Sequence, residues 1–321
     1  TFNHFYDYDA NYGPAVFRNI IQTADGGYAM IGSLYFTPWT EFDQNGNEVF
    51  NYTNDIVLVK TDANHNIQWS KVFYSLIDFT YEEAGIKLKE KPGGGFVLLT
   101  ETEDPLNIYY LGRPANLIST DATGNVLWTR SFSATTGYDK PFDFIIDTDN
   151  SIVVVGSSNF NVSSRKPWAF KTDSTGLLLW GNTYTTSNGE FRSITKAASG
   201  GYVIAGKRST DVMLMRMTSA GTNIWTRTYT TAAAEGAQVV INNGAGYAML
   251  VNNTTAGSCQ LLQTDSSGNT TSVKSYLQLN GVSLIRNGNS FLITGNQTTS
   301  AILSFTTDLI GNITGNVRKY T

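Results

Sequence analysis

Histidine and cysteine are nearly absent from this chain: His4, His65 and Cys259 are all that 321 residues contain. One thiol excludes an internal disulfide. Cys259 lies in the apolar stretch 258–262, where a free cysteine behaves as a small buried hydrophobe. Two histidines, far apart in the chain, argue against a zinc site, and no metal is expected. Charge is scarce as well. Charged residues make up 15% of the chain, against about a quarter in ordinary domains. The 22 basic and 26 acidic residues form no long run of either sign, which excludes the basic stripe that a phosphate backbone requires. No apolar run approaches the roughly 20 residues that span a bilayer, and no signal peptide precedes Thr1.

What the chain does have is glycine, aromatics and neutral polar residues. Apolar residues reach 41% and aromatics 12%, enough for a sizeable core. Runs such as 228–231, 252–255 and 298–300 give the surface an uncharged, hydroxyl- and amide-rich character common in exported bacterial proteins.

Two short elements recur in alternation. The first is a glycine-rich turn followed by an aromatic and an apolar run: Asp25-Gly26-Gly27-Tyr28, Gly94-Gly95-Phe96, Gly200-Gly201-Tyr202 and Ala245-Gly246-Tyr247. Degenerate copies stand at Asn150-Ser151-Ile152 and Asn289-Ser290-Phe291. The second ends a strand in Thr-Asp-x-x-Gly-Asn, with a tryptophan seven residues after the aspartate: Asp62 with Trp69, Asp121 with Trp128, and Asp173 with Trp180. Thr218 with Trp225 follows the same spacing, while Asp265 and Asp308 begin copies whose seventh positions are Ser272 and Gly315.

Both elements occur six times, and each unit reads as four short strands, as in 17–23, 28–33, 56–61 and 67–73. Glycine tolerates positive φ and aspartate caps local amides, which suits both connectors to tight turns. No helical period occurs anywhere. Four strands per unit and six units predict an all-β, six-bladed β-propeller with four antiparallel strands per blade, in one domain spanning 1–321. The blades are expected at 14–74, 80–133, 140–186, 189–230, 235–277 and 281–320, with 1–8 as an extra N-terminal closing strand.

The aspartate-to-tryptophan spacing resembles the tryptophan-docking motif of pyrroloquinoline-quinone-type propellers, a family that includes the scaffold lipoprotein of the outer-membrane assembly machinery. The wider repeat is also similar to propeller repeats of bacterial surface proteins. The resemblance implies that Trp69, Trp128, Trp180 and Trp225 pack between blades, and that packing is weaker in blades 5 and 6, which lack them. It also implies a binding or scaffolding role. The quinone dehydrogenases of that family have eight blades and a vicinal disulfide, so six repeats and one cysteine predict no cofactor.

Length variation falls on one side of the blades, between strands two and three and between successive blades, while the tight-turn side has little room for function. Blade 1 inserts Tyr35, Phe36, Trp39, Phe42, Phe50 and Tyr52 around an Asn45-Gly46 hairpin signature. Blade 2 inserts Tyr109, Tyr110 and Arg113, and blade 3 brings Arg165, Lys166 and Trp168. Aromatics with arginine are the residues interfaces use, so these twelve are the predicted partner-binding set. Carboxylates also recur between blades, at Asp7, Asp9, Asp78, Glu82, Glu83, Asp139, Asp143, Glu190 and Glu235, where a pair could serve glycoside hydrolysis.

The expectation is thus a non-catalytic protein-binding or scaffolding propeller, not an enzyme. It would be an exported lipoprotein or surface protein of a Gram-negative bacterium, binding a protein partner such as an outer-membrane complex, without nucleic acid or a membrane-spanning segment. The alternative is a carbohydrate-binding or glycan-cleaving propeller using the same face.

Overall fold

A computed structural model describes residues 12–36, 39–42, 48–51, 54–73, 82–103, 114–134, 139–158, 165–184, 188–230, 235–253, 257–297, 301–315 and 317–320. Twenty-six strands run through them, and no helix interrupts the order. Blade 1 is built from β1 (Tyr12–Gln22), β2 (Tyr28–Phe36), β5 (Asn54–Thr61) and β6 (Ile67–Phe73). Between its second and third strands stands a separate two-stranded hairpin, β3 (Trp39–Phe42) and β4 (Glu48–Asn51). Blade 2 comprises β7 (Glu82–Glu90), β8 (Phe96–Glu103), β9 (Ala115–Thr120) and β10 (Val126–Phe132). Blade 3 follows with β11 (Lys140–Ile146), β12 (Ile152–Ser158), β13 (Lys166–Thr172) and β14 (Leu178–Thr183). Blade 4 has β15 (Gly189–Lys196), β16 (Tyr202–Arg208), β17 (Asp211–Met217) and β18 (Asn223–Tyr229). Blade 5 has β19 (Glu235–Asn242), β20 (Gly246–Asn253), β21 (Ser258–Asp265) and β22 (Thr270–Leu277). Blade 6 ends the chain with β23 (Leu279–Asn287), β24 (Ser290–Gln297), β25 (Ile302–Asp308) and β26 (Arg318–Tyr320).

Each blade is a four-stranded antiparallel sheet in sequence order, the six-bladed β-propeller architecture that the repeat predicts. The expected N-terminal closing strand at 1–8 lies outside the described residues. By internal contacts the chain divides into two compact units. The first holds Thr1–Pro141, Ile146–Ile152 and Thr172–Leu177; the second holds Phe142–Ile145, Val153–Lys171 and Leu178–Thr321.

The middle strands are buried on both faces and the fourth strands are largely exposed, as β12 and β14 show side by side. Apolar runs such as Ile152–Val155 therefore read as continuous rather than alternating, because the strand is buried on both faces. Successive blades are fastened by the second recurring motif. An added Cβ on Gly124 of the blade 2 turn would lie 2.8 Å from Trp69 of blade 1, and the same closeness links Gly176 to Trp128, Gly221 to Trp180 and Gly268 to Trp225. All four turn glycines hold φ near +80°, so the tryptophan lies over a turn that only glycine forms without strain. A tyrosine adds a second fastening: Tyr184, Tyr229 and Tyr276 each donate a hydroxyl hydrogen bond of 2.7–2.8 Å to the carbonyl of the next blade's turn glycine. Blade 5 keeps this contact without a tryptophan, and Tyr276 is buried against Phe305. His65 takes the glycine position of the first such turn at φ 68° and stacks on Tyr28.

Candidate functional site

The first strand of a blade carries a bulge at a constant place: before Asn19 in β1, Lys87 in β7, Ser193 in β15, Val239 in β19 and Ser283 in β23. The residue after the bulge reaches the following blade. Asn19 Oδ1 accepts the Leu88 N–H at 3.0 Å, and Ser193 Oγ accepts the Val240 N–H at 3.2 Å. Asp143 takes the same role with a carboxylate, accepting from the Ile194 N–H at 3.1 Å, the Ser193 hydroxyl at 3.0 Å and the Phe144 N–H at 2.9 Å. The bulged residue itself leaves the ladder, and there stand Arg18, Ile86, Arg192, Gln238 and Val282.

In the second unit this geometry assembles a cationic cluster. Glu190, at the start of β15, is buried, its side chain 2% exposed. Arg165 Nη1 lies 3.1 Å from Glu190 Oε2, and Arg192 Nε lies 2.5 Å from Oε1. Both arginine side chains keep about one third of their surface open, at 32% and 31%. Arg192 also donates to Gln238 Oε1 at 2.8 Å and lies over the Phe142 ring at 5.2 Å. Gln238 is held in turn by the Gly236 carbonyl. Two guanidiniums share one carboxylate, and each keeps part of its surface open to solvent.

The first unit has a related arrangement and one of different chemistry. Glu101, at the end of β8, is buried with Lys140 at 3.4 Å and the more exposed Arg18 at 3.8 Å. Glu83, near the start of β7, is a half-buried carboxyl pushed up to about 7, first by burial and then by the negative charge of Asp55. Asp55, at the start of β5, is also raised by burial. Two residues beyond Glu83, Gly85 allows β7 to lie against blade 1: an added Cβ would come 2.5 Å from Ile31 and 2.9 Å from the Gly32 carbonyl. A carboxyl balanced near neutrality can both give and take a proton.

The sequence-predicted site residues separate into three groups. Arg165 and Glu190, singled out for different reasons, come together in the cluster. Trp168 is 3% exposed and packs on Phe170 inside blade 3, so its ring belongs to the core. Lys166 is exposed at the start of β13. The backbone of Tyr35, Phe36, Trp39, Phe42 and Phe50 lies in β2 and in the β3–β4 hairpin, whose register pairs Trp39 with Asn51 and Phe42 with Glu48. Tyr52, Tyr109, Tyr110 and Arg113 lie outside the described residues, as do Asp7, Asp9 and Asp78. Among the carboxylates, Asp143 fastens blades and Asp139 is buried, accepting the Ala134 N–H at 2.6 Å. The sequence gives no sign of Arg18, Arg192 and Gln238, because a bulge that turns a side chain out of its ladder has no signature in composition or spacing, nor of Asp55, whose nearness to Glu83 depends on how two blades meet. Cys259 is buried in blade 5, and its thiol is pushed up to about 12 by burial. The described residues include no helix long and apolar enough to cross a membrane.

No protein-family model and no curated protein matches the chain. Solved structures match by fold. A protein from Lactobacillus plantarum superposes with a TM-score of 0.61 at 13% identity, over 94% of this chain and 87% of that one. The periplasmic gluconolactonase of Pseudomonas aeruginosa gives 0.57 at 12% identity over 91% and 85%, and an ulvan lyase, a polysaccharide lyase, gives 0.56 at 9% over 93% and 79%. These likenesses reach the propeller fold and stop there. They correct the expectation that the protein is not an enzyme. The same architecture includes a lactonase and a lyase, so the repeat and its tryptophans describe how blades pack and do not separate a binder from a catalyst.

Proposed function

We propose that the protein is a carbohydrate-handling propeller whose ligand carries a carboxylate, held by Arg165 and Arg192 over Glu190. The observation that carries this reading is the pair of guanidiniums on a single buried carboxylate. Glu190 fixes both, and each guanidinium keeps about a third of its surface open to solvent in a planar, donor-rich form suited to a sugar acid. Because Gln238 and Phe142 already orient Arg192, little side-chain entropy is lost when a ligand arrives. The names of two fold neighbours, a gluconolactonase and a polysaccharide lyase, accord with sugar chemistry. The polar, weakly charged surface accords with an exported protein.

The test is a panel of polyuronates and neutral glycans, assayed for binding and for release of reducing or unsaturated ends. Saturable binding to polyuronates that Arg192→Met abolishes would support the reading. Equal affinity for neutral chains, or an unaffected Arg192→Met variant, would exclude it.

A protein partner is a second reading, favoured by the β3–β4 hairpin, which is a sheet apart from the four strands of blade 1. Recovery of a stoichiometric partner that is lost on Trp39→Ser would support it, and recovery unchanged by that substitution would exclude it.

A further inference from the structure

The glycine-rich turns of blades 1 and 2 close with the same pair of backbone hydrogen bonds, although Gly93 and Gly95 take positive φ where Asp25 and Gly27 do not, and only the first turn holds a carboxylate. In blade 1 the Thr23 N–H donates to the Gly27 carbonyl and the Gly26 N–H to the Thr23 carbonyl. In blade 2 Lys91 donates to Gly95 and Gly94 to Lys91 at the same distances within 0.1 Å. Inside the first turn sits Asp25. Its Oδ1 accepts the Gly27 N–H at 3.0 Å and the Thr23 hydroxyl at 2.5 Å, and its Oδ2 accepts Lys60 Nζ at 2.7 Å. These three donors hold the Asp25 carboxyl well below the usual carboxylate range.

In blade 2 the position of Asp25 is Gly93, that of Thr23 is Lys91, and that of Lys60 is Ser119. The cation survives the exchange, because Lys91 reaches across from the opposite strand and donates to Ser119 Oγ at 3.1 Å. The carboxylate does not. Among the described residues the Gly95 N–H, counterpart of the capped Gly27 N–H, meets no acceptor. Lys91 and Gly93–Gly95 line an open cleft of about 550 Å³ on the tight-turn side. Its other charges are engaged: Lys60 is paired with Asp25, and Glu90 Oε2 accepts the Ala24 N–H at 2.7 Å. Sequence reasoning left this side without room for function, yet the cleft lies there because Gly93 presents no side chain to fill it.

We propose that this cleft is a carboxylate-binding subsite, in which a ligand's carboxylate takes the place that Asp25 fills in blade 1 and accepts from Lys91 Nζ and the Gly95 N–H. The repeat itself provides the template, since the occupied turn shows which donors a carboxylate engages there. Burial lowers the Lys91 ammonium from its ordinary value, against the opposing pull of the nearby Asp121 carboxylate, and a bound anion would raise it further. The subsite stands on residues separate from the Arg165–Glu190 cluster and does not depend on it.

The experiment is a titration of the isotope-labelled protein with D-galacturonate, its methyl ester and inorganic phosphate, following the Gly95 and Gly27 amides. Galacturonate is expected to shift Gly95 saturably and leave Gly27 still, with the methyl ester inert. Lys91→Met should weaken binding about tenfold or more, the factor one charge-assisted hydrogen bond carries. Asp25→Gly should open the twin turn, so that Gly27 begins to titrate as well. A Gly95 amide that does not respond, responds equally to the methyl ester, or titrates unchanged in Lys91→Met would overturn the assignment. Tighter binding of phosphate than of galacturonate would overturn the choice of carboxylate.

Discussion

Replacing Asp143 with alanine separates the two roles a recurrent inter-blade carboxylate could have. The carboxylate is 8% exposed and accepts three hydrogen bonds, two of them from the neighbouring blade at Ser193 and Ile194. Alanine leaves those donors buried. A stranded donor costs about 1–3 kcal/mol, and the Ser193 hydroxyl can turn elsewhere, so the sum is about 3–5 kcal/mol. With a urea slope of about 3 kcal/mol per molar, the midpoint should fall by roughly 1–1.7 M. Asp143→Asn keeps one oxygen in place and should lose about half as much. Equilibrium urea unfolding followed by tryptophan fluorescence measures both. A loss below about 1 kcal/mol for the alanine variant would refute the fastening role and return Asp143 to the catalytic candidates.

Other perturbations probe the remaining parts of the account. Tyr276→Phe removes only the 2.7 Å hydrogen bond to Gly311 and should cost about 1 kcal/mol in the same assay, with a near-zero change refuting the tyrosine fastening. Gly124→Ala forces a side chain onto φ +81° beneath Trp69 and should cost about 1–3 kcal/mol, whereas an unchanged midpoint would show that the turn yields. The Glu83 carboxyl, raised in the folded protein from 4.5 to about 7, contributes stability that is complete below about pH 4.5 and declines as pH rises toward 7. Glu83→Gln should flatten that part of the pH–stability profile, and a carboxyl carbon titration of Glu83 centred near 4.5 would contradict the shift.

Architecture was legible in the sequence because it rests on repeated, local signals. Glycine at positive φ and the tryptophan seven residues past the turn aspartate both report backbone and packing directly, and they recur often enough to average out the degenerate copies in blades 5 and 6. Tyr276 shows the limit of that reading. Blade 5 lacks the tryptophan but keeps the tyrosine contact four residues past that position, which no repeat signal singled out. The site was legible only in fragments. Arg165 and Glu190 stood out as loop-proximal charges, but their meeting depends on an inter-blade approach, and Arg192 and Gln238 face the site only because a bulge turns them out. Trp168 misled because an aromatic beside an insertion looks the same in sequence whether it faces the ligand or the core.

The most direct test of the proposed function is a crystal structure of the protein with a short oligouronate, compared with the same soak of the Arg192→Met variant. The account predicts the uronate carboxylate within hydrogen-bond distance of the Arg165 and Arg192 guanidiniums in the first crystal and none in the second. An oligouronate bound away from both arginines, or bound identically in the variant, would contradict it.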